Sequence, residues 1–155
     1  MSIIKIISSV VISNLAGAIG SMFTFSAIPT WYKGLIKPAL NPPNWLFGPV
    51  WTVLYILMGV AAGMVWSKGL EQRGVKVALA VFLFQLVLNA LWSIIFFGWH
   101  KLGLALAEIV LLWIIILINI ILFYRINTTA GYLLVPYILW VSFAAYLNYS
   151  IWIPN

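Results

Sequence analysis

Five apolar runs, each long enough to cross a bilayer, take up most of this 155-residue chain. A helix spanning the hydrocarbon needs about 20 mostly apolar residues. Runs 6–27, 45–66, 77–99 and 132–152 carry no charge, and run 102–124 carries one, Glu108. Backbone groups within lipid must be satisfied internally, and the runs lack the alternation of barrel strands, so they read as helices. Composition agrees: 65% of residues are hydrophobic and 6% charged, against roughly 45–50% and about 25% in a soluble domain. A soluble fold of this length has too large a surface-to-volume ratio to hide so much apolar side chain. A soluble enzyme and a disordered chain are excluded, as is a secreted disulfide scaffold, because there is no cysteine. The expected fold is an all-α integral membrane protein, one bundle of five transmembrane helices over residues 1–155 with the lipid bilayer as its surroundings. The net charge of +6 comes from 8 Lys+Arg against 2 Asp+Glu. These cations fall between the runs, where they mark membrane boundaries and not a nucleic-acid surface.

Breakers and charges define the turns. Residues 29–43 form the longest, 67–76 the second, His100-Lys101 a tight third and 125–131 the fourth. No linker separates domains, and no internal repeat is visible. The first run resembles a signal peptide in having Lys5 before an apolar stretch and small residues at Ala16-Gly17-Ala18. Its apolar pattern continues through Phe25, which favours a retained helix. Lys5, Lys68, Arg73, Lys76 and Arg125 collect on the N-terminal side, and Lys33, Lys37 and Lys101 on the other. The positive-inside rule then favours a cytoplasmic N-terminus.

Function must come from the faces the helices turn inward. Gln85, Asn89, Trp92 and Phe96 share one stripe of the third run, as do Trp51, Tyr55, Met58, Ala62 and Trp66 on the second. Tyr137, Trp140, Ala144 and Asn148 align on the fifth, Asn14, Gly17 and Ser21 on the first, and Glu108, Leu112, Ile115 and Asn119 on the fourth. Amides facing lipid are costly, so these stripes are expected to meet inside the bundle. Interhelical glue is one reading of them. A cavity for a flat, largely apolar ligand with a few polar contacts is the other, and the mixture of aromatics and amides favours it.

Glu108 is the only acid within a run. It is either a proton-coupling carboxylate or a structural one. The second follows from its place about 9 Å along its helix, near an N-terminus that favours negative charge and within reach of water or a basic partner. His100 is the sole histidine, and without cysteine it completes no zinc site and no bis-histidine haem site, so no metal is assigned. There is no nucleophile–base pair and no Gly-rich phosphate loop. Gly59 with Gly63, and Ala16 with Gly20, are small-residue pairs that permit close helix packing or dimerisation.

The most specific residues lie in the first turn and second run. Trp31-Tyr32-Lys33-Gly34-Leu35-Ile36-Lys37-Pro38 is followed by Pro42-Pro43-Asn44-Trp45-Leu46-Phe47-Gly48-Pro49-Val50-Trp51-Thr52-Val53-Leu54-Tyr55. Further on come Gln85-Leu86-Val87-Leu88-Asn89, Trp92, Phe96-Phe97-Gly98, Glu108, Pro136-Tyr137-Ile138-Leu139-Trp140 and Leu147-Asn148-Tyr149. Together, in this order, they resemble the TspO/MBR family of tryptophan-rich sensory and translocator proteins. The resemblance implies a five-helix, multi-pass protein of the bacterial cell membrane, commonly a homodimer. It implies binding of protoporphyrin IX and related tetrapyrroles, and of synthetic benzodiazepine-receptor ligands, in a pocket beneath the first turn. The matching positions are Trp31, Tyr32, Trp51, Asn89, Trp140 and Ala144; Tyr55 and Trp92 join them from the stripes. The cholesterol motif of mammalian members needs a basic residue after the C-terminal tyrosine. Here Ser150 follows Tyr149, so cholesterol recognition is unsupported.

A protoporphyrin is an aromatic plate with two propionates at one edge. Trp51 and Trp140 are expected to hold the plate, and Lys33 or Lys37 the propionates at the membrane edge. Bacterial members are also associated with light-dependent breakdown of protoporphyrin. The resemblance therefore implies photo-oxidation with no cofactor beyond the porphyrin itself. Indoles oxidise readily, so Trp51 and Trp140, placed beside the ring, are the side chains expected to donate an electron or trap a radical. The competing readings are a small transporter of porphyrins or other hydrophobic solutes, proton-coupled through Glu108, and a passive structural subunit.

Overall fold

The computed structural model describes residues 1–155 and contains helices but no strand. The helices are α1 (Ile3–Ala27), α2 (Asn44–Trp66), α3 (Val75–Ser93), α4 (Leu102–Ile126), α5 (Thr128–Leu133) and α6 (Val135–Trp152). A π-helical turn, Ile94–Gly98, carries α3 onward, and α5 with α6 makes the last crossing. Five segments are thus long and apolar enough to cross a membrane, and the protein is a multi-pass integral membrane protein of the expected class.

Helix ends depart from the apolar runs where caps intervene. The Ser2 side chain accepts from the Lys5 N–H, which starts α1 three residues before its charge-free run. Asn127 is extended, and its side chain accepts from the Ala130 N–H at 3.2 Å. The turn expected over 125–131 is therefore compressed to a break at Asn127, with helix resuming at Thr128. Gly131 fits this break because a Cβ there would press on the Tyr124 backbone.

The glycine pairs act within the chain. A Cβ on Gly59 would overlap the Val10 backbone, and one on Gly63 the Ile6 backbone, so both glycines seat α2 directly on α1. Gly20 faces Ser93 and Ala90, bringing α1 against α3. The stripes do turn inward: Gln85, Asn89, Trp92, Phe96, Tyr55, Met58, Ala62, Tyr137, Ala144 and Asn148 are all buried. On α4 the buried row runs Glu108, Leu112, Ile116 and Asn119, with Ile116 in place of the expected Ile115.

Much of the buried polarity is spent on joining helices. Tyr55 Oη donates to Asn89 Oδ1, Asn89 Nδ2 donates to Tyr137 Oη (2.7 Å), and Tyr137 Oη donates to Gln85 Oε1 (2.6 Å). Gln85 Nε2 then reaches Met58 Sδ at 3.7 Å. This chain ties α2, α3 and α6 together, and a half-satisfied network of this kind would be costly in a low-dielectric interior.

Candidate ligand cavity

Glycines bring the α1 and α2 backbones together at one end of the pair, while bulky rings keep them apart at the other. Between them, α3 and α6 lies a cavity of about 250 Å³. Asn14, Gly17, Ser21 and Thr24 line it from α1, and Phe47, Gly48, Trp51, Thr52 and Tyr55 from α2. Trp92, Phe96 and Phe97 come from α3 and its π-helical turn, Trp140, Ala144 and Asn148 from α6, and Tyr32 from the first loop. No charged side chain lines it.

Most of the polar groups in this wall are already committed. Ser21, Thr24 and Thr52 hydroxyls donate back to the carbonyls of Ala18, Gly20 and Gly48. Trp92 Nε1 donates to Asn148 Oδ1 at 3.0 Å, and Asn148 Nδ2 donates to the Leu102 carbonyl at 2.9 Å. The wall therefore offers rings and hydroxyl lone pairs, a surface suited to a flat apolar molecule with few polar atoms.

Trp51 and Trp140 meet at a ring-centroid distance of 6.4 Å and an interplanar angle of 88°. They form a corner, not the parallel slot that two stacked indoles would make. A plate entering the corner lies flat on one ring and presents its edge to the other, both favourable aromatic geometries. Trp51 is backed by Tyr55, stacked at 5.6 Å, and Trp140 by Phe47 and Phe143. Trp140 Nε1 is buried without a hydrogen-bond partner, so aromatic packing alone orients that ring.

The roof is the first loop. Tyr32, 2% exposed, turns inward against Phe47, Phe96 and Phe97. Its Oη donates to Asn41 Oδ1 at 2.9 Å, closing the loop on itself. Burial pushes the phenol above its ordinary pKa, and the bond to Asn41 offsets part of that rise, so the hydroxyl remains a neutral donor.

Of the residues expected at a site, Tyr32, Trp51, Tyr55, Trp92, Trp140 and Ala144 line the cavity together. Asn89 lies outside the lining, bonded to Tyr55 and Tyr137. Trp31 also lies outside it, stacked on His100 at 4.1 Å. Lys33 is exposed on the loop. Lys37 Nζ donates to the Leu35 carbonyl at 3.1 Å and sits 4.8 Å over the Tyr32 ring. Neither lysine lines the cavity. Glu108 differs from its structural expectation: only 8% exposed, it turns inward, and neither carboxylate oxygen has a hydrogen-bond partner. The cause is azimuthal, because Glu108 shares the inward row of α4 with Leu112 and Asn119.

Phe47, Phe97 and Thr52 line the cavity although none belongs to the stripes drawn from the sequence. Phe97 is five residues beyond Trp92, off the helical stripe, and the π-helical turn brings it round. Phe47 and Thr52 flank Trp51 by four residues and one, and the first of these spacings is a signal the sequence carries.

The TspO/MBR family pattern matches residues 9–153. The chain is 47% identical over 135 residues to the tryptophan-rich protein TspO of Chlorobaculum tepidum, covering 87% of this chain and 85% of that one. It is 41% identical over 156 residues to the protein of the same name from Archaeoglobus fulgidus, covering 100% and 99%. With the human translocator protein it shares 37% over 144 residues, or 92% and 85% of the two chains.

Proposed function

This chain belongs to the TspO/MBR family, and from that premise we propose that its cavity binds protoporphyrin IX or a related tetrapyrrole, together with neutral ligands of the benzodiazepine-receptor type. The observation that carries this reading is an uncharged cavity with a right-angled indole corner at its wall. Its volume of about 250 Å³ lies just below the range of most ligand pockets, roughly 300 to 1,000 Å³. A compact drug-like ligand fits inside. A tetrapyrrole inserts one edge into the corner and leaves its propionates outside.

The exposed Lys33 and the loop-bound Lys37 are the cations for those propionates. Because such pairs are solvated, each is worth only about 0.2–1 kcal/mol. Lys33→Ala with Lys37→Ala is expected to weaken protoporphyrin IX about fivefold, within that range, and to leave a neutral benzodiazepine-type ligand unchanged. Equal losses for the two ligands, measured by competition titration, would remove the lysines from the site.

Illumination adds a second activity to the reading. The excited macrocycle takes an electron from the nearest indole, Trp51 or Trp140, and its radical anion adds dioxygen at a methine carbon. The adduct returns the electron to the indole cation, and the methine C–C bond opens to two carbonyls. Dioxygen is thus the net oxidant, and the indole is restored. The protein supplies orientation while the porphyrin supplies the chemistry. A transporter coupled through Glu108 is the second reading, and the buried, unpartnered carboxyl favours it. Porphyrin-stimulated proton flux in proteoliposomes, abolished in Glu108→Gln, is its expected signature. Flux absent from the parent protein, or retained in Glu108→Gln, counts against it.

A further inference from the structure

We infer that His100 and Asn155 form a two-point latch that holds the first loop closed over the cavity and sets the rate at which the cavity exchanges with the aqueous side. The inference concerns access and does not depend on which ligand the cavity takes. Its first point is the stack of Trp31 on His100, with centroids 4.1 Å apart and planes within 8°. Its second is Asn155, whose Oδ1 accepts from the Ile36 N–H at 3.2 Å while Nδ2 donates to the Ile36 carbonyl at 2.9 Å. Asn155 Nδ2 also reaches the Ile151 carbonyl at 2.7 Å, which fixes the clamp to the end of α6.

The two points come from different elements and grip the loop on either side of its short helical turn, Tyr32–Gly34. Between them sits Tyr32, the loop residue that lines the cavity. Adjacent residues thus divide the work: Trp31 is held between the His100 ring on the α3–α4 turn and Phe96, 5.7 Å away in an edge-on contact, and Tyr32 plugs inward.

The backbone at His100 supports the assignment. Its φ is +59°, a left-handed conformation that glycine adopts without strain and other residues seldom do. The neighbouring π-helical turn ends at Gly98, so a tight turn here has no need of a ring. What a side chain at position 100 adds is the surface on which Trp31 lies. Removing that side chain relieves the backbone and deletes the stack together.

The chain has no cysteine, so one thiol placed in the cavity reports its opening without a ligand. Ala144→Cys supplies it, and a cationic methanethiosulfonate is the probe, since its charge keeps it out of the detergent that covers the apolar flanks. In that background His100→Gly is expected to label about tenfold faster, the scale of losing one well-placed ring pair. Its thermal stability should equal or exceed the parent's, which separates opening of the roof from unfolding. Asn155→Ala is also expected to label faster, and His100→Phe, which keeps a ring, to stay near the parent rate. Equal rates in the parent, His100→Gly and Asn155→Ala proteins would overturn the latch. So would a His100→Phe rate as fast as that of His100→Gly.

Discussion

Trp51→Phe combined with Trp140→Phe is expected to keep protoporphyrin IX bound in the dark and to slow its loss under light strongly, with only Tyr32, Tyr55 and Trp92 left on the wall as oxidisable rings. Phenylalanine preserves a ring at each wall of the corner, so most of each aromatic interaction survives. Affinity should fall by no more than about tenfold, the equivalent of one ring pair. Electron donation is another matter, because a phenyl ring is far harder to oxidise than an indole. The single variants divide the role. Trp51 is stacked on Tyr55, a second oxidisable ring, whereas Trp140 is flanked by Phe47 and Phe143. Trp140→Phe therefore leaves the Trp51–Tyr55 pair as a donor, and Trp51→Phe leaves an isolated indole, so Trp51→Phe should slow the reaction more. Porphyrin absorbance followed under constant illumination, at matched occupancy, measures this. Undiminished decay in the double variant would remove both indoles from the chemistry.

Gly59→Val is expected to be the most destabilising single change in the bundle. The Cβ alone would overlap the Val10 main chain, and a backbone cannot move aside as a flexible side chain can. Overpacking against mobile neighbours costs about 1–3 kcal/mol, and here the cost should reach or exceed the top of that range. Gly63→Val, facing the Ile6 backbone, should act alike. Gly34→Ala is the contrast, since nothing lies within 4 Å of a Cβ there and its backbone is not left-handed. Thermal unfolding in detergent, read by circular dichroism, should show a large fall for the first two and none for the third. The α1–α2 seam also anchors one end of the cavity, so ligand binding is expected to fall with stability in both valine variants. A Gly59→Val protein as stable as the parent would mean that α1 and α2 do not meet through this glycine face.

The helical spans are legible in the sequence because charge-free runs of about 20 residues have few other uses. Inward faces are legible too, since an amide repeating with its helix's period has to avoid lipid. What each inward residue meets is not. Asn89 and Trp92 sit three residues apart on one stripe, yet Asn89 joins three helices through Tyr55 and Tyr137 while Trp92 lines the cavity. That difference depends on which helix stands opposite, a tertiary fact that a stripe does not carry. Glu108 illustrates the same limit: its stripe turns it inward and its depth along α4 suggests water or a basic partner, yet what it meets there is no hydrogen-bond partner at all. Phe97 is hidden by a π-helical turn that breaks the period on which stripes are drawn. Resemblance puts Trp31 in the pocket, but its stack on His100 depends on a turn conformation that no periodic pattern marks.

Titration of the detergent-solubilised protein with protoporphyrin IX in the dark, followed by tryptophan fluorescence, addresses the central claim most directly. With Trp51, Trp92 and Trp140 on the cavity wall, quenching should saturate at one porphyrin per chain and be reversed by a neutral benzodiazepine-type competitor. Quenching that rises without saturating, and that no competitor reverses, would mean the porphyrin merely dissolves in the apolar surroundings and the indole corner is not a binding site.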